Sequence, residues 1–156
     1  MNLKKYQEVI NKPLIDVNMG TIWANLGYEE KKLCSASEDV FIGGPLVSNA
    51  MFVIHSPEYF IDKKTKKVCE EISVTGTKEI TDDIQKGQGP RKAIFLLGYS
   101  GWAPGQLEDE IMRDSWFVSE KIENLIFDVD YQSKWRDALF LIGIDPSKLS
   151  SYAGSS

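Results

Sequence analysis

Apolar positions recur with two different periods along this chain, and their alternation predicts a layered α/β fold. Four segments carry the helical period. After Asp16, a residue type that caps helices, Met19, Ile22, Trp23 and Leu26 fall at i, i+3, i+4 and i+7, and Gly27 ends the run. Thr77 is placed to cap a second helix, with Ile80 and Ile84 on one face and Gly87 as its stop. Pro104 suits the first turn of a third, in which Leu107 and Ile111 share a face. Asp130 caps the fourth, where Trp135, Ala138, Leu139 and Ile142 form the core stripe and Gly143 ends it.

Between these lie short apolar runs. Val40-Phe41-Ile42 and Met51-Phe52-Val53-Ile54 are continuous, as in strands covered on both faces. The link from Gly43 to Asn49 would join them as a loose hairpin. Ile72-Ser73-Val74 is a shorter strand, and Ala93-Ile94-Phe95-Leu96-Leu97 reads as the central one. Trp116-Phe117-Val118 and Leu125-Ile126-Phe127 complete the expected set. Interleaved helices and strands give the α/β class: a single domain, residues 1–156, with a mixed β-sheet and flanking helices.

Length supports one domain with one sizeable core, at 156 residues, 42% hydrophobic and 26% charged. A net charge of −5 argues against a general binder of phosphate backbones, which needs a basic face. The run Lys63-Lys64-Thr65-Lys66-Lys67 lacks interleaved aromatics and reads as a solvated loop. No apolar run is long enough to span a bilayer. Cys34 and Cys69 lie far apart in sequence and read as reduced thiols. The N-terminus has two lysines but no apolar stretch after them, so it is no secretory signal, and the expected location is the cytoplasm.

The segment most like a site runs Gly98-Tyr99-Ser100-Gly101-Trp102-Ala103-Pro104-Gly105-Gln106. It follows the central strand and opens a helix, a place where ligands gather in α/β folds. Free amides at a helix start suit an anion, and glycines let a backbone approach a ligand. The structural reading is a tight turn with Trp102 folded onto the core. Glu108, Asp109 and Glu110 complement the dipole of the helix that follows, and Gln106 and Glu110 are i, i+4 neighbours on its flank. Trp102, Trp116 and Trp135 read as core packing.

Gly98-Tyr99-Ser100-Gly101-Trp102 also approaches the nucleophile elbow Gly-x-Ser-x-Gly, with its last glycine missing. The sole histidine, His55, precedes Ser100 instead of following it, so a Ser100–His55 pair is the weaker alternative. At a strand end, His55 is expected to hydrogen-bond a backbone group. One histidine and two scattered cysteines supply no zinc signature, and neither a metal nor a cofactor is expected.

Several ordered blocks resemble the UPF0301 (YqgE/AlgH) family of uncharacterised bacterial proteins. They are Ile10-Asn11-Lys12-Pro13-Leu14, then Gly43-Gly44-Pro45-Leu46, then Phe52-Val53-Ile54-His55. The most specific is Leu97 to Ile111 with Trp116 beyond it, and Leu141 to Asp145 and Gly154 close the series. The resemblance implies a compact α/β fold and a cytosolic location, without a catalytic assignment. Some members are labelled regulators of transcription, a role that the negative charge and the lack of a helix-turn-helix disfavour here. Family members carry a further segment before the Asn-Lys-Pro block, whereas here Met1 to Val9 precede it. A shortened sheet is therefore expected to expose an edge or gap and to lower stability or promote self-association.

These readings give three functions. The first is a non-catalytic cytosolic protein acting through a protein or small-molecule partner. The second is an enzyme or binder of an anionic metabolite using the 98–106 turn, with Gly43, Gly44 and His55 as accessory residues. The third is a nucleic-acid regulator, which the charge opposes. Membrane association is not expected.

Overall fold

The computed structural model describes residues 13–25, 39–119, 123–128 and 130–148. Its strands are β1 (Pro13–Asn18), β2 (Asp39–Ile42), β3 (Leu46–His55), β4 (Thr65–Lys67), β5 (Ser73–Thr75) and β6 (Ala93–Tyr99). Its helices are α1 (Met19–Asn25), α2 (Lys78–Gln85), α3 (Gln106–Met112), α4 (Glu123–Phe127) and α5 (Tyr131–Leu141). The strands form one mixed six-stranded sheet in the order β1-β2-β6-β3-β5-β4.

The central strand is β6, as its apolar run predicts. It pairs in parallel with β2 (Val40 opposite Phe95, Ile42 opposite Leu97) and antiparallel with β3 (Ile54 opposite Ile94, Met51 opposite Leu97). Its side chains alternate between two cores. Ala93 and Phe95 join Met19 and Trp23 of α1, Ile80 and Ile84 of α2, and Val40 and Val53. Ile94 and Leu96 join Phe41, with Ile126 and Phe127 of α4 and Tyr131 of α5 packed against them. The period of two along a strand sends successive residues to opposite faces, so the fold has helix, sheet and helix layers. Trp23 meets Phe95 edge-on at 6.1 Å, which locks the first core.

Several local expectations are corrected by this arrangement. Asp16 lies within β1, and the start of α1 is held by Asn18, whose side-chain oxygen accepts from the Thr21 amide at 2.8 Å. Leu26, Gly27 and Cys34 lie outside the described residues. Thr77 and Asp130 do stand at the caps of α2 and α5, and Asp130 accepts from the Gln132 amide. Residues 116–118 form no strand, and Leu125-Ile126-Phe127 is helical, because that apolar triplet packs down onto the sheet from α4. The lysine run is partly an edge strand: β4 pairs with β5, and exposed lysines on an edge discourage strand addition.

The link between β2 and β3 is no hairpin, because β6 lies between the two strands. Ile42 is opposite Leu97 and Leu46 is opposite Tyr99, so residues 43–45 must carry the chain over β6 itself. Two strand spacings are about 9.6 Å, within reach of a few residues only if the link runs hard against the strand beneath.

On α5 itself, Lys134 is buried. Its ammonium donates to the Ile126 carbonyl and sits 5.6 Å from the Phe41 ring centre. Burial lowers its pKa, opposed by the charge of Asp130.

Candidate functional site

The crossing over β6 explains three of the glycines singled out in the sequence. A Cβ on Gly43 would lie 2.3 Å from the Gly98 carbonyl oxygen, and one on Gly98 would lie 2.5 Å from the Gly44 carbonyl oxygen. A Cβ on Gly44 would lie 2.3 Å from the Tyr99 carbonyl carbon. Gly98 also has φ +77°, a conformation that side chains resist. The Gly43 amide donates to the Leu97 carbonyl at 2.7 Å and extends the parallel ladder into the crossing. Gly43, Gly44 and Gly98 are therefore spaces for two backbones that touch.

Beyond the crossing the chain turns outward. Tyr99 packs its ring 5.8 Å from that of Phe52 and remains partly exposed, and Gly101 sits against Leu46. Pro104 precedes α3, whose cap is Gly105 at φ +79°, with nothing within 4 Å of a built Cβ. The Gln106 side-chain oxygen accepts from the Ala103 amide at 3.0 Å, and the Gln106 amide donates to the Ala103 carbonyl at 3.0 Å. Gln106 thus closes the turn from both its backbone and its side chain.

Glu110 is the centre of the corner. One carboxylate oxygen, Oε2, accepts from the indole N–H of Trp116 at 2.7 Å and of Trp102 at 3.1 Å. The other, Oε1, accepts from the Gln106 side-chain Nε2 at 2.9 Å. The two indoles meet edge-on at 5.7 Å. These donors, Trp116 foremost and then Gln106 and Trp102, favour the charged carboxylate and lower the Glu110 pKa. The i, i+4 pairing of Gln106 with Glu110 read from the sequence is present.

Trp102 is not folded onto the core. It is 37% exposed and is held by Glu110 and Trp116. Helix α3 buries none of its residues, so the Leu107–Ile111 stripe is not a core stripe. Trp135 is half-buried on α5. The sequence reading missed how much apolar surface this segment leaves outward: Met112 is 75% exposed and Val118 61%. The signal was Met112, an apolar residue off the stripe, followed by a segment too short of alternation to make a strand.

His55 stands apart. It is opposite Ala93 at one end of β6, whereas Tyr99 marks the other end. Six residues at about 3.3 Å each place the two ends about 20 Å apart, so His55 cannot serve Ser100 as a base. The imidazole is fully buried, and Nδ1–H donates to the Ser56 carbonyl at 2.8 Å, the backbone bond expected. Because a carbonyl only accepts, Nε2 must accept, and its partner is the Thr75 hydroxyl at 3.0 Å. Thr75 then accepts from Thr65 at 2.7 Å, and Thr65 from the Ile61 amide at 2.9 Å. This one-way chain fixes a neutral tautomer. Burial lowers the His55 pKa, opposed by the Ser56 carbonyl and the charge of Glu58.

Beside His55, Glu58 braces the same end of the sheet. It accepts from the Ser56 hydroxyl at 2.8 Å and the Arg91 amide at 2.6 Å. Burial opposes its charge, yet these bonds outweigh it and bring the carboxyl down to about 2. A cavity of about 220 Å³ lies elsewhere, against Met51, Val53, Gly76, Thr77, Lys78 and Thr81, and none of the sequence candidates lines it. Among the described residues no group of three or more His, Cys, Asp or Glu converges. Nor is any helix among them long and apolar enough to cross a membrane.

Comparison with known proteins places these features in a family. The family model described as AlgH-like (DUF179) matches residues 7–147. A UPF0301 protein of Cereibacter sphaeroides is 39% identical over 146 residues, covering 94% of this chain and 79% of the relative. One from Beijerinckia indica is 40% identical over 154 residues, covering 97% and 74%. The solution structure of the AlgH protein from Pseudomonas aeruginosa matches with a TM-score of 0.70 at 26% identity, over 94% of this chain and 77% of that one. A crystal structure from Corynebacterium diphtheriae shares the fold, with a TM-score of 0.58 at 16% identity over 81% of this chain and 66% of that one.

Proposed function

The chain belongs to the AlgH-like UPF0301 family, and from that premise we propose that it is a non-catalytic cytoplasmic protein that binds a protein partner through residues 99–118. The observation that carries this reading is the Glu110 carboxylate, which spends both oxygens on holding Trp102, Trp116 and Gln106. A carboxylate so engaged is a brace, not a free general base. What it braces is an exposed aromatic corner. Seven of the twelve exposed large hydrophobic side chains among the described residues are Leu46, Tyr99, Trp102, Ile111, Met112, Phe117 and Val118, all at this end of β6 or just after it. Concentrated exposed apolar surface marks interaction sites in soluble proteins, and pre-ordered side chains lose little entropy on binding.

The binding reading also draws support from His55, whose two ring nitrogens are both engaged and buried. The test is a photoreactive amino acid placed at Met112 in living cells, with Lys66 on β4 as the control position. A discrete adduct at position 112, absent at 66, is expected. No adduct at 112, or equal adducts at both positions, overturns the reading.

A further inference from the structure

We infer, resting on that reading, that the partner presents a basic amphipathic segment to the 99–118 corner. The argument is one of charge complementarity around an apolar centre. Between Gln106 and Val118 the chain carries Glu108, Asp109, Glu110 and Asp114 against a single cation, Arg113. The side chains of Glu110 are met by neutral donors, so its charge is oriented but not cancelled. Glu108 lies three and four positions before Ile111 and Met112, and on a helix those residues are surface neighbours. Asp109 stands in the same relation to Met112. Ile111 and Met112, both exposed, are thus bordered by Glu108 and Asp109.

Such a border selects its occupant. An anionic bilayer or a phosphate backbone would meet like charge at distances inside the screening length of about 8 Å. An acidic or neutral peptide would gain the apolar contact alone. A segment with Leu, Ile or Phe on one face and Lys or Arg beside it gains both terms. The charge of the whole chain, −5, steers such a segment in the same direction.

The experiment uses the full chain and three synthetic helical peptides with one leucine face, whose flanking positions are Lys, Gln or Glu. Binding is read by Trp fluorescence anisotropy and by amide NMR shifts. The Lys peptide is expected to bind about tenfold tighter than the Gln peptide, the scale of two or three exposed ion pairs, and the Glu peptide more weakly still. Shifts are expected to centre on residues 102–118. Added salt should narrow the gap between the peptides. The double variant Glu108→Gln, Asp109→Asn, altered only at exposed positions, should shrink the gap between the Lys and Gln peptides severalfold, with Glu110 and Asp114 still charged, and leave binding of the Gln peptide unchanged. Met112→Asp should weaken both.

Equal binding of the three peptides overturns the inference, as does a gap that is undiminished in the double variant. Binding of anionic vesicles in preference to the Lys peptide overturns it too. A dimer in sedimentation that Met112→Asp dissolves would make a second copy the occupant and likewise refute it. If the Lys peptide fails while position 112 still crosslinks to a partner in cells, the basic-segment inference falls alone. If both fail, the binding reading falls with it.

Discussion

Replacing Gly43, Gly98 and Gly105 by alanine, one at a time, separates two costs that glycine avoids. Gly105 has φ +79° and open space around a built Cβ, so Gly105→Ala costs conformation only. The left-handed region costs a side chain about 1–2 kcal/mol, reduced by about 0.4–1 kcal/mol because alanine restricts the unfolded chain. Gly43 has no positive φ, but its Cβ would lie 2.3 Å from the Gly98 carbonyl oxygen, so Gly43→Ala costs contact only. Backbone is on both sides of that overlap, and the strand pair must shift to relieve it, at about 1–3 kcal/mol. Gly98→Ala combines φ +77° with a Cβ 2.5 Å from the Gly44 carbonyl oxygen. Its loss should approach the sum, about 1–5 kcal/mol and centred on about 3, a large part of the stability of an ordinary domain. At 156 residues, each kcal/mol is worth about 2–4 °C in Tm. Urea midpoints with thermal melts would check the order, with Gly105→Ala the mildest and Gly98→Ala the most severe. Equal losses at positions 98 and 105, or a Gly43→Ala protein as stable as the parent, would show that the chain does not cross β6 as described.

The remaining predictions concern titrating groups. Glu58 has its folded pKa lowered from 4.5 to about 2, so its stabilisation is complete above 4.5 and fades as pH falls toward about 2. Glu58→Gln should therefore flatten the acid limb of the urea midpoint against pH, and an unchanged limb would show that the carboxylate braces nothing. His55 has a lowered pKa, so the unfolded chain binds the proton more readily, and its contribution to stability falls as pH drops below the ordinary 6.5. Long-range proton–nitrogen NMR should show the Nδ1–H tautomer persisting below pH 6.5. A ring that protonates at its ordinary pKa would refute the one-way hydrogen-bond chain. Glu110→Ala should red-shift Trp emission and broaden the Trp102 and Trp116 indole resonances with little effect on the β6 amides. Unchanged indole signals would mean that the carboxylate does not hold the rings.

What the sequence determined by itself was whatever depends on neighbours within one element. The apolar run at Ala93–Leu97 specified a strand covered on both sides, and Ile80 and Ile84 specified the buried face of α2, because periodicity alone decides which side chains can share a surface. Asp130 as a cap and the Gln106–Glu110 pair were legible for the same reason. Ordered blocks of residues also marked the family. Tertiary structure decided everything that depends on which element lies between two others. Two apolar strands joined by a glycine link look like a hairpin until β6 is inserted between them, and only then do Gly43, Gly44 and Gly98 become spaces for crossing backbones. His55 and Ser100 are combinable on paper, but pairing His55 with Ala93 sends them to opposite ends of one strand. The outward corner of Trp102, Met112 and Val118 was hidden for a related reason: an apolar position in the sequence does not say whether the fold has room left to cover it. In this fold the two cores are already filled from α1, α2, α4 and α5, and the side chains of α3 are left over.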